Sequence, residues 1–392
     1  MMVIELLLNG AAILLLLPVL VVFVQVVFAY LPSPREIALP PTKSKITVLV
    51  PAHNEAEGIA TTLNSILPQL KLGDRLLVVA DNCTDNTAKI ATENGSEVVE
   101  RHDLDNRGKG FALDFGIQFI VQDPPDVVVI IDADCKVQDN ALNKLVAYSV
   151  QHDRPVQSLN LMLSPHGAAL KTKIAEFAWI VKNMVRPLGY AKLGLPCQLM
   201  GTGMAFPWNI ISHAKLANGN IVEDMKLGID LCIDGKPPLF YVDASVTSIF
   251  PNTPASQAVQ RTRWEHGHLS MIISQAPQLV AQGIIKGNKD LLAMALDLCV
   301  PPLALLVALL SGFLMLATLA YMMGISYLPL LISLASIVIL ALSILLAWWG
   351  WGRHIISAFT FLFIPFYVVF KTPYFVSFIF KRQKKWVRTG RK

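Results

Sequence analysis

The 392-residue chain predicts a doubly wound α/β domain accompanied by transmembrane and interfacial helices. Hydrophobic residues make up 54% of it and charged residues only 16%, a more apolar balance than a soluble protein usually carries. Two stretches, Leu6 to Tyr30 and Leu298 to Gly352, contain no charged residue. Between them, short β-branched runs alternate with helical patterns, as expected of a parallel sheet with helices on both faces.

The first apolar stretch can cross a bilayer core of roughly 30 Å at about 1.5 Å per helical residue. A secretory signal peptide is the rival reading. Such a peptide has a shorter apolar region and a basic segment before it, and Tyr30-Leu31-Pro32-Ser33-Pro34 is a poor small-residue cleavage site. An uncleaved anchor over residues 1–31 is therefore expected. The second stretch, within residues 296–352, is long enough for two crossings with a turn near Gly324-Ile325-Ser326. Residues 355 to 380 are apolar but interrupted by Lys371, Thr372 and Pro373, and read as interfacial or re-entrant helices within a 353–392 segment.

Orientation follows from the basic residues. The tail from Lys381 to Lys392 carries seven Lys or Arg and no acid, which the positive-inside rule assigns to the cytoplasm. The basic loop Arg35 to Lys45 belongs on the same side. Three crossings satisfy both, whereas a fourth would put the basic tail outside. The expectation is an integral protein of the inner or plasma membrane with its polar domain in the cytoplasm.

That polar domain spans residues 44–255. Ile46-Thr47-Val48-Leu49-Val50, Leu76-Leu77-Val78-Val79-Ala80 and Val127-Val128-Val129-Ile130-Ile131 suit strands buried on both faces of a parallel sheet. Helical patterns over Glu57 to Leu70, Asp85 to Asn94 and Lys109 to Val121 separate them. Ligands bind such sheets at the carboxyl ends of the strands. There the three runs lead into Pro51-Ala52-His53-Asn54-Glu55, Asp81-Asn82-Cys83-Thr84-Asp85 and Asp132-Ala133-Asp134. One such end is simple helix capping; three carboxylate-bearing ends on one edge point to a site.

The absence of GxxxxGK[ST] argues against a P-loop, and Gly201-Thr202-Gly203 does not complete a dinucleotide fingerprint. Asp132 and Asp134 flank a small residue at a strand end, a pattern able to hold a hard divalent cation, Mg²⁺ or Mn²⁺, through oxygen ligands. Glu223-Asp224 opens the helical run Met225 to Ile233. The plain reading is a favourable charge at the helix N-terminus; the functional one is a carboxylate base. Residues 257 to 268, QAVQRTRWEHGH, suit an anion clamp because a guanidinium binds two phosphate oxygens at once. A solvated helix or a lipid-headgroup contact is the plainer alternative. His266 and His268 could touch phosphate or acceptor, but exposed helix histidines usually do nothing, and they are expected to be exposed. Cys83, Cys135, Cys197, Cys232 and Cys299 form no metal-ligand spacing and are assigned no chemistry.

Residues 170 to 188 place Leu170, Ile174, Phe177, Val181, Met184 and Leu188 at helical spacing, with Lys171, Lys173, Lys182 and Arg186 elsewhere on the wheel. A core-facing helix would show the same stripe. The basic side and Trp179 favour a helix lying in the membrane interface.

Taken together, Val50-Pro51-Ala52-His53-Asn54-Glu55 with the Asp81–Asp85 strand end, Asp132-Ala133-Asp134, Glu223-Asp224 and Gln260-Arg261-Thr262-Arg263-Trp264 resemble the membrane-bound processive-type members of glycosyltransferase family 2. That group includes cellulose and hyaluronan synthases and ceramide glucosyltransferases. The last motif matches the family's Q(Q/R)xRW pattern fully, and the resemblance covers nearly the whole chain. It implies a GT-A fold for residues 44–255, with the Q-R-T-R-W motif and interfacial helices in 256–295. It also implies a nucleotide-sugar donor, with Pro51, Glu55 and Asp81 around the uridine, Lys109 near the nucleotide, and Asp134 with Asp132 at the diphosphate and its Mg²⁺ or Mn²⁺. Asp224 would be the base for the acceptor hydroxyl. Gln260, Arg261, Arg263 and Trp264 would close over the donor diphosphate, and Gly201, Thr202, Gly203, Glu223 and Trp264 would line the acceptor side.

The function expected is inverting transfer that builds a polysaccharide; single-sugar transfer to a membrane lipid is the close alternative. A transporter or scaffold would instead place charges within the apolar spans. Expected partners are the sugar nucleotide, a polysaccharide or lipid acceptor and membrane lipids, with self-association or a secretion partner where a polymer must cross. Nucleic acid is not among them.

Overall fold

The structure, a computed structural model, describes residues 2–32, 43–251 and 253–380. The basic tail and most of the loop Arg35 to Lys45, which carried the orientation argument, lie outside the described residues. Two compact units emerge. Among the described residues, one gathers residues 2–31, Gly167–Leu193 and residues 268–380; the other gathers residues 43–166 and Gly194–Gly267.

The second unit is built on eight strands: β1 (Ile46–Ala52), β2 (Arg75–Asp81), β3 (Glu97–Arg101), β4 (Val127–Ile130), β5 (Lys136–Val137), β6 (Val156–Leu163), β7 (Met204–Pro207) and β8 (Leu239–Ile249). They form one sheet in the order β3-β2-β1-β4-β7-β6-β8-β5. The three runs identified in the sequence are β1, β2 and β4, and their continuous apolar character has the expected cause. Val48, Val50, Val78 and Val129 face one layer with Ile59, Leu63, Leu142 and Leu145. Leu49, Leu77, Val79, Val128 and Ile130 face the other with Leu113, Ile117, Leu227 and Leu231. Successive residues point to opposite faces, so a strand covered on both sides must be apolar at every position. Gly116 lets the helix Lys109–Ile120 lie close to the sheet, because a Cβ there would come within 2.6 Å of Leu49 Cδ1.

The sheet departs from the all-parallel expectation. β3, β2, β1 and β4 are parallel, but β7 runs antiparallel to β4, and β6 antiparallel to β7. β7 enters from the edge where β4 ends, so it can only run back along it. Its four residues, Met204–Pro207, carry too little pattern to reveal direction in sequence.

In the other unit, Met2–Ala29, Leu303–Met322 and Leu328–Gly352 are long and apolar enough to cross a membrane, and the chain turns between the last two at Gly324. Ala358–Phe375, within the stretch 355 to 380 expected to be interfacial or re-entrant, also suffices by length and composition. Large apolar side chains such as Leu14, Leu316 and Val338 remain exposed along the spans, as lipid-facing residues would be. Tyr30 packs edge-on against Trp351, and Arg353 lies over Trp349, a cluster typical of a membrane–water boundary.

The amphipathic stretch 170 to 188 forms the helix Leu170–Ile180, a π-helical turn Val181–Val185 and the helix Arg186–Lys192. Arg186 is not on the polar side that the wheel suggested. It is buried, donating to Asp297 Oδ1 at 2.7 Å and to Gln25 Oε1 at 2.8 Å, while Gln25 Nε2 donates to Asp297 Oδ1 at 2.6 Å. Gly189 makes this approach possible, since a Cβ there would fall 1.8 Å from the Gln25 carbonyl oxygen. The helical wheel could not show Arg186 as buried, because its counter-charge comes from a helix more than 100 residues later.

Asp297→Leu should strand the Arg186 guanidinium without its counter-charge and cost about 3–5 kcal/mol of stability. An Arg186→Met, Asp297→Leu double variant should recover most of that loss. Thermal unfolding in detergent checks both, and equal losses in the two proteins would mean that the ion pair is not what matters at this position.

Candidate active site

The carboxyl ends of β1 and β2 are tied together by their own polar residues. Asn54 and Asn82 adopt left-handed backbone, with φ of 56° and 52°, a conformation that asparagine tolerates better than most residues. Asn54 Oδ1 accepts from the Thr84 N–H at 2.7 Å, and the Glu55 N–H donates to Thr87 Oγ1 at 2.8 Å. Asp85, two residues before the next helix, accepts from the Thr87 N–H at 3.0 Å. Pro51 and Glu55 flank this junction. Asp81, the last residue of β2, is buried, and its Oδ1 accepts from Arg101 at 2.7 Å and from Asn82 Nδ2 at 3.0 Å. Burial pushes its carboxyl up from the ordinary value, against the pull of Arg101. Arg101 was not singled out in the sequence: it is the last residue of β3, and only the pairing of β3 with β2 brings it beside Asp81.

The end of β4 is the centre of the constellation. The Asp132 N–H donates to Thr202 Oγ1 at 3.0 Å, and its carboxylate is ion-paired with Lys109. Lys109 Nζ also donates to the Gly201 carbonyl at 2.6 Å. Gly201 has φ of +89°, and a Cβ at that position would lie 3.1 Å from Asp224 Oδ2 and 3.5 Å from Lys109 Nζ. The sheet thus gathers Lys109, Asp132, Gly201, Thr202 and Asp224, residues from four separate segments. Burial alone would push the Lys109 ammonium down, but Asp132, Glu223 and Asp224 outweigh it and hold it above the usual lysine value.

Ligand atoms of Asp132, Asp134 and Cys135 lie within 4.8 Å of one another. The carboxylate oxygens suit a hard divalent cation, whereas Cys135 does not: burial, helped by Asp132, pushes its thiol up to about 12 and keeps it protonated. The residues present therefore fit Mg²⁺ or Mn²⁺ held by the two aspartates.

Glu223 and Asp224 form the first turn of the helix Glu223–Ile233. Burial, followed by repulsion from Asp224, pushes the Glu223 carboxyl up to about 7, with Lys109 opposing. Asp224 Oδ1 accepts from the Met225 N–H at 2.8 Å.

Gln260, Arg261, Arg263 and Trp264 lie on the long helix Pro254–Lys286. Gly267 on that helix approaches Val222 so closely that a Cβ would fall 2.5 Å from Val222 Cγ1, next in the chain to Glu223. Gln260, Arg263 and Trp264 precede Gly267 by seven, four and three residues and so share its face of the helix, whereas Arg261 is turned aside. Gln260, Arg263 and Trp264 thus lie within two turns of the point where this helix meets Val222, the residue before Glu223. His266 and His268, expected to be exposed, are both buried. His268 Nε2 is hydrogen-bonded to the Leu298 carbonyl at 3.0 Å, and burial followed by Lys182 holds its imidazole down to about 3. A neutral ring at physiological pH is a donor there, not an anion contact.

With that geometry in place, comparison with known proteins is decisive at the level of family. The sequence profile described as "Glycosyltransferase like family 2" matches residues 41–267. The chain belongs to this family. Among its relatives, a probable glycosyltransferase, YdaM, of Bacillus subtilis (strain 168) is 27% identical over 241 residues, 58% of this chain and 56% of that one. The poly-beta-1,6-N-acetyl-D-glucosamine synthase of Staphylococcus aureus (strain COL) is 26% identical over 57% of this chain and 54% of its own. A 4,4'-diaponeurosporenoate glycosyltransferase of Staphylococcus haemolyticus (strain JCSC1435) is 28% identical over 48% and 51%. The chain spans about half the length of these curated relatives. In fold, it is similar to the mannosyltransferase PcManGT from Pyrobaculum calidifontis, solved in complex with GDP-Man and Mn²⁺, with a TM-score of 0.57 at 16% identity over 96% of this chain and 100% of that one. The family 2 domain has a GT-A-like fold, a mixed sheet with helices on both faces.

The raised Glu223 carboxyl has a stability consequence. Between its ordinary 4.5 and about 7 the folded chain holds a proton that the unfolded chain has released, so stability falls as pH rises through that window. Glu223→Gln cannot ionise and escapes the loss. Its unfolding free energy, measured without metal or nucleotide, should exceed the wild type's by more at pH 8 than at pH 5, by on the order of 1–2 kcal/mol. A pH-independent difference would rule out a proton held at Glu223.

Proposed function

We propose that this chain is a membrane-bound, metal-dependent inverting glycosyltransferase that draws on a uridine nucleotide sugar and builds a polysaccharide. The observation that carries the reading is the meeting of Lys109, Asp132, Gly201 and Asp224 at the carboxyl edge of the sheet. Membership of family 2 makes sugar transfer the natural chemistry for such a site.

Each residue then has a physical task. Asp81, held by Arg101, offers a carboxylate to the uracil, with Pro51 and Glu55 forming the adjacent wall. Asp134 with Asp132 would hold Mg²⁺ or Mn²⁺, which supplies positive charge against the leaving diphosphate. Lys109 adds a second positive charge on that side. Arg263, on the helix face shared with Gly267, binds phosphate oxygens as a planar fork with Gln260 beside it, Arg261 adds positive charge from the neighbouring face, and Trp264 gives the acceptor sugar an apolar face. Asp224 accepts the proton of the acceptor hydroxyl as it attacks the anomeric carbon opposite the leaving group, and a single base suffices for inversion. Glu223 and the Gly201-Thr202-Gly203 loop shape the acceptor side, where glycine permits close approach.

The polymer reading is supported by similarity to the poly-N-acetylglucosamine synthase of S. aureus. Transfer of a single sugar to a lipid is the second reading, supported by the comparable similarity to the diaponeurosporenoate glycosyltransferase. Three crossings, or four counting Ala358–Phe375, offer a thin wall for a polymer channel, so the first reading calls for self-association or a secretion partner. In both, the domain works on the cytoplasmic face.

The test incubates purified protein with Mg²⁺ or Mn²⁺ and a panel of radiolabelled nucleotide sugars, then separates polymer from organic-soluble product. Label in a high-mass, alcohol-insoluble fraction supports the polysaccharide reading, and label in the organic phase supports the lipid one. Asp134→Ala, Asp224→Asn and Arg263→Ala should each reduce transfer by about a hundredfold or more, with membrane insertion intact. Full activity in any of them removes the role given to that residue.

A further inference from the structure

β6 carries a run that does not belong in an ordinary core strand. Gln157 and Ser158 are fully buried and Asn160 is 5% exposed, with Val156 and Leu159 as apolar neighbours. Burying an amide is favourable only when its hydrogen bonds are met, so a polar run at this depth calls for specific partners.

The partners are the backbone of one loop. Gln157 Nε2 donates to the Thr202 carbonyl at 2.9 Å and to the Ser158 carbonyl at 2.9 Å, while Gln157 Oε1 accepts from the Met200 N–H at 2.8 Å. Asn160 Nδ2 donates to the Met200 carbonyl at 3.2 Å, and the Ser158 N–H donates to the Gly203 carbonyl at 2.8 Å. Gly203, with φ of +66°, leaves the space in which Ser158 Oγ sits, since a Cβ there would lie 1.9 Å from that oxygen. The local backbone favours this arrangement. β6 pairs with β7 only at Val156 and Gln157, and its register with β8 shifts between Ser158 and Leu159, an irregularity that re-aims side chains.

We infer that Gln157, with Asn160, is a positioning residue for the transfer reaction: it fixes the Met200–Gly203 backbone on which the two halves of the site are assembled. Thr202 Oγ1 receives the Asp132 N–H, and the Gly201 carbonyl receives Lys109 Nζ at the point where Asp224 approaches. Donor-side and base-side groups thus share one short loop, and β6 is what holds it. Gln157 touches neither donor nor acceptor in this scheme. Its loss leaves the carboxylates in place and loosens their mutual geometry, which governs the chemical step more than donor binding. The inference rests on the transferase reading above.

Gln157→Leu removes both functions of the amide; Gln157→Glu keeps the acceptor and loses the donor; Asn160→Leu removes one outer bond. Expected for both Gln157 variants is a fall in kcat per folded molecule of about tenfold to a hundredfold, as for a small misplacement of reacting groups, with donor KM within about threefold of wild type. Asn160→Leu should show a smaller fall of the same kind. Hydrogen exchange should accelerate in the peptide containing Met200 to Gly203. If Gln157→Leu does not fold, Gln157→Glu and Asn160→Leu carry the same readouts. Unchanged kcat per folded molecule in the folded variants, or unchanged exchange at that peptide, overturns the inference. Absence of wild-type transfer with every nucleotide sugar would instead defeat the functional reading, while the exchange measurement still decides whether β6 holds the loop.

Discussion

The direction of one short strand governs the site. β7 lies antiparallel to β4 in the register Ile130↔Met204, so the residues that enter β7 stand at the edge where β4 ends. Were β7 parallel, Gly201-Thr202-Gly203 would sit at the opposite edge, roughly 13 Å away at about 3.3 Å per residue. Instead, Thr202 receives the Asp132 N–H and Gly201 receives Lys109. The parallel half of the sheet supplies the carboxylates at the ends of β1, β2 and β4. The antiparallel strand adds the loop that joins them to Asp224.

Charge balance follows from this convergence. One ammonium, Lys109, stands among Asp132, Glu223 and Asp224, and its raised proton affinity reflects three carboxylates competing for it. The surplus negative charge lowers the cost of bringing a divalent cation to Asp132 and Asp134. The same surplus, together with burial, holds a proton on Glu223 at pH values where a free glutamate has lost it. In the proposed reaction the arginines of the Q-R-T-R-W segment bring the opposite charge. Arg263 lies one turn before Gly267 on the helix face that meets Val222, the residue before Glu223.

The unit with the apolar helices obeys different physics. Apolar helices in lipid gain little from burying one another, so polar contacts and close backbone approach specify which faces meet. Gln25, Arg186 and Asp297 do so by hydrogen-bonding to one another, and Gly189 allows the backbones to come together. Composition alone shows the spans but not this network. Gln25 is, with Asn9, one of two amide side chains in an apolar run, and Arg186 resembles any basic residue on an amphipathic helix.

The apolar spans and the strands β1, β2 and β4 were legible in sequence because each is a local pattern: a long uncharged run, or a β-branched run covered on both faces. The carboxylate-bearing strand ends could be located in sequence too, because a polar run directly after a buried apolar strand marks the edge of the sheet. Tertiary structure alone decided the rest. Arg101 reaches Asp81 only through the pairing of β3 with β2, and Gln157 reaches Met200 and Thr202 only where β6 leaves β7. Burial of His266 and His268, and of Arg186, likewise depends on neighbours distant in the chain. Sequence spacing records which residues are near along the backbone; hydrogen bonds and ion pairs depend on which are near in space, and that is settled by strand order and direction.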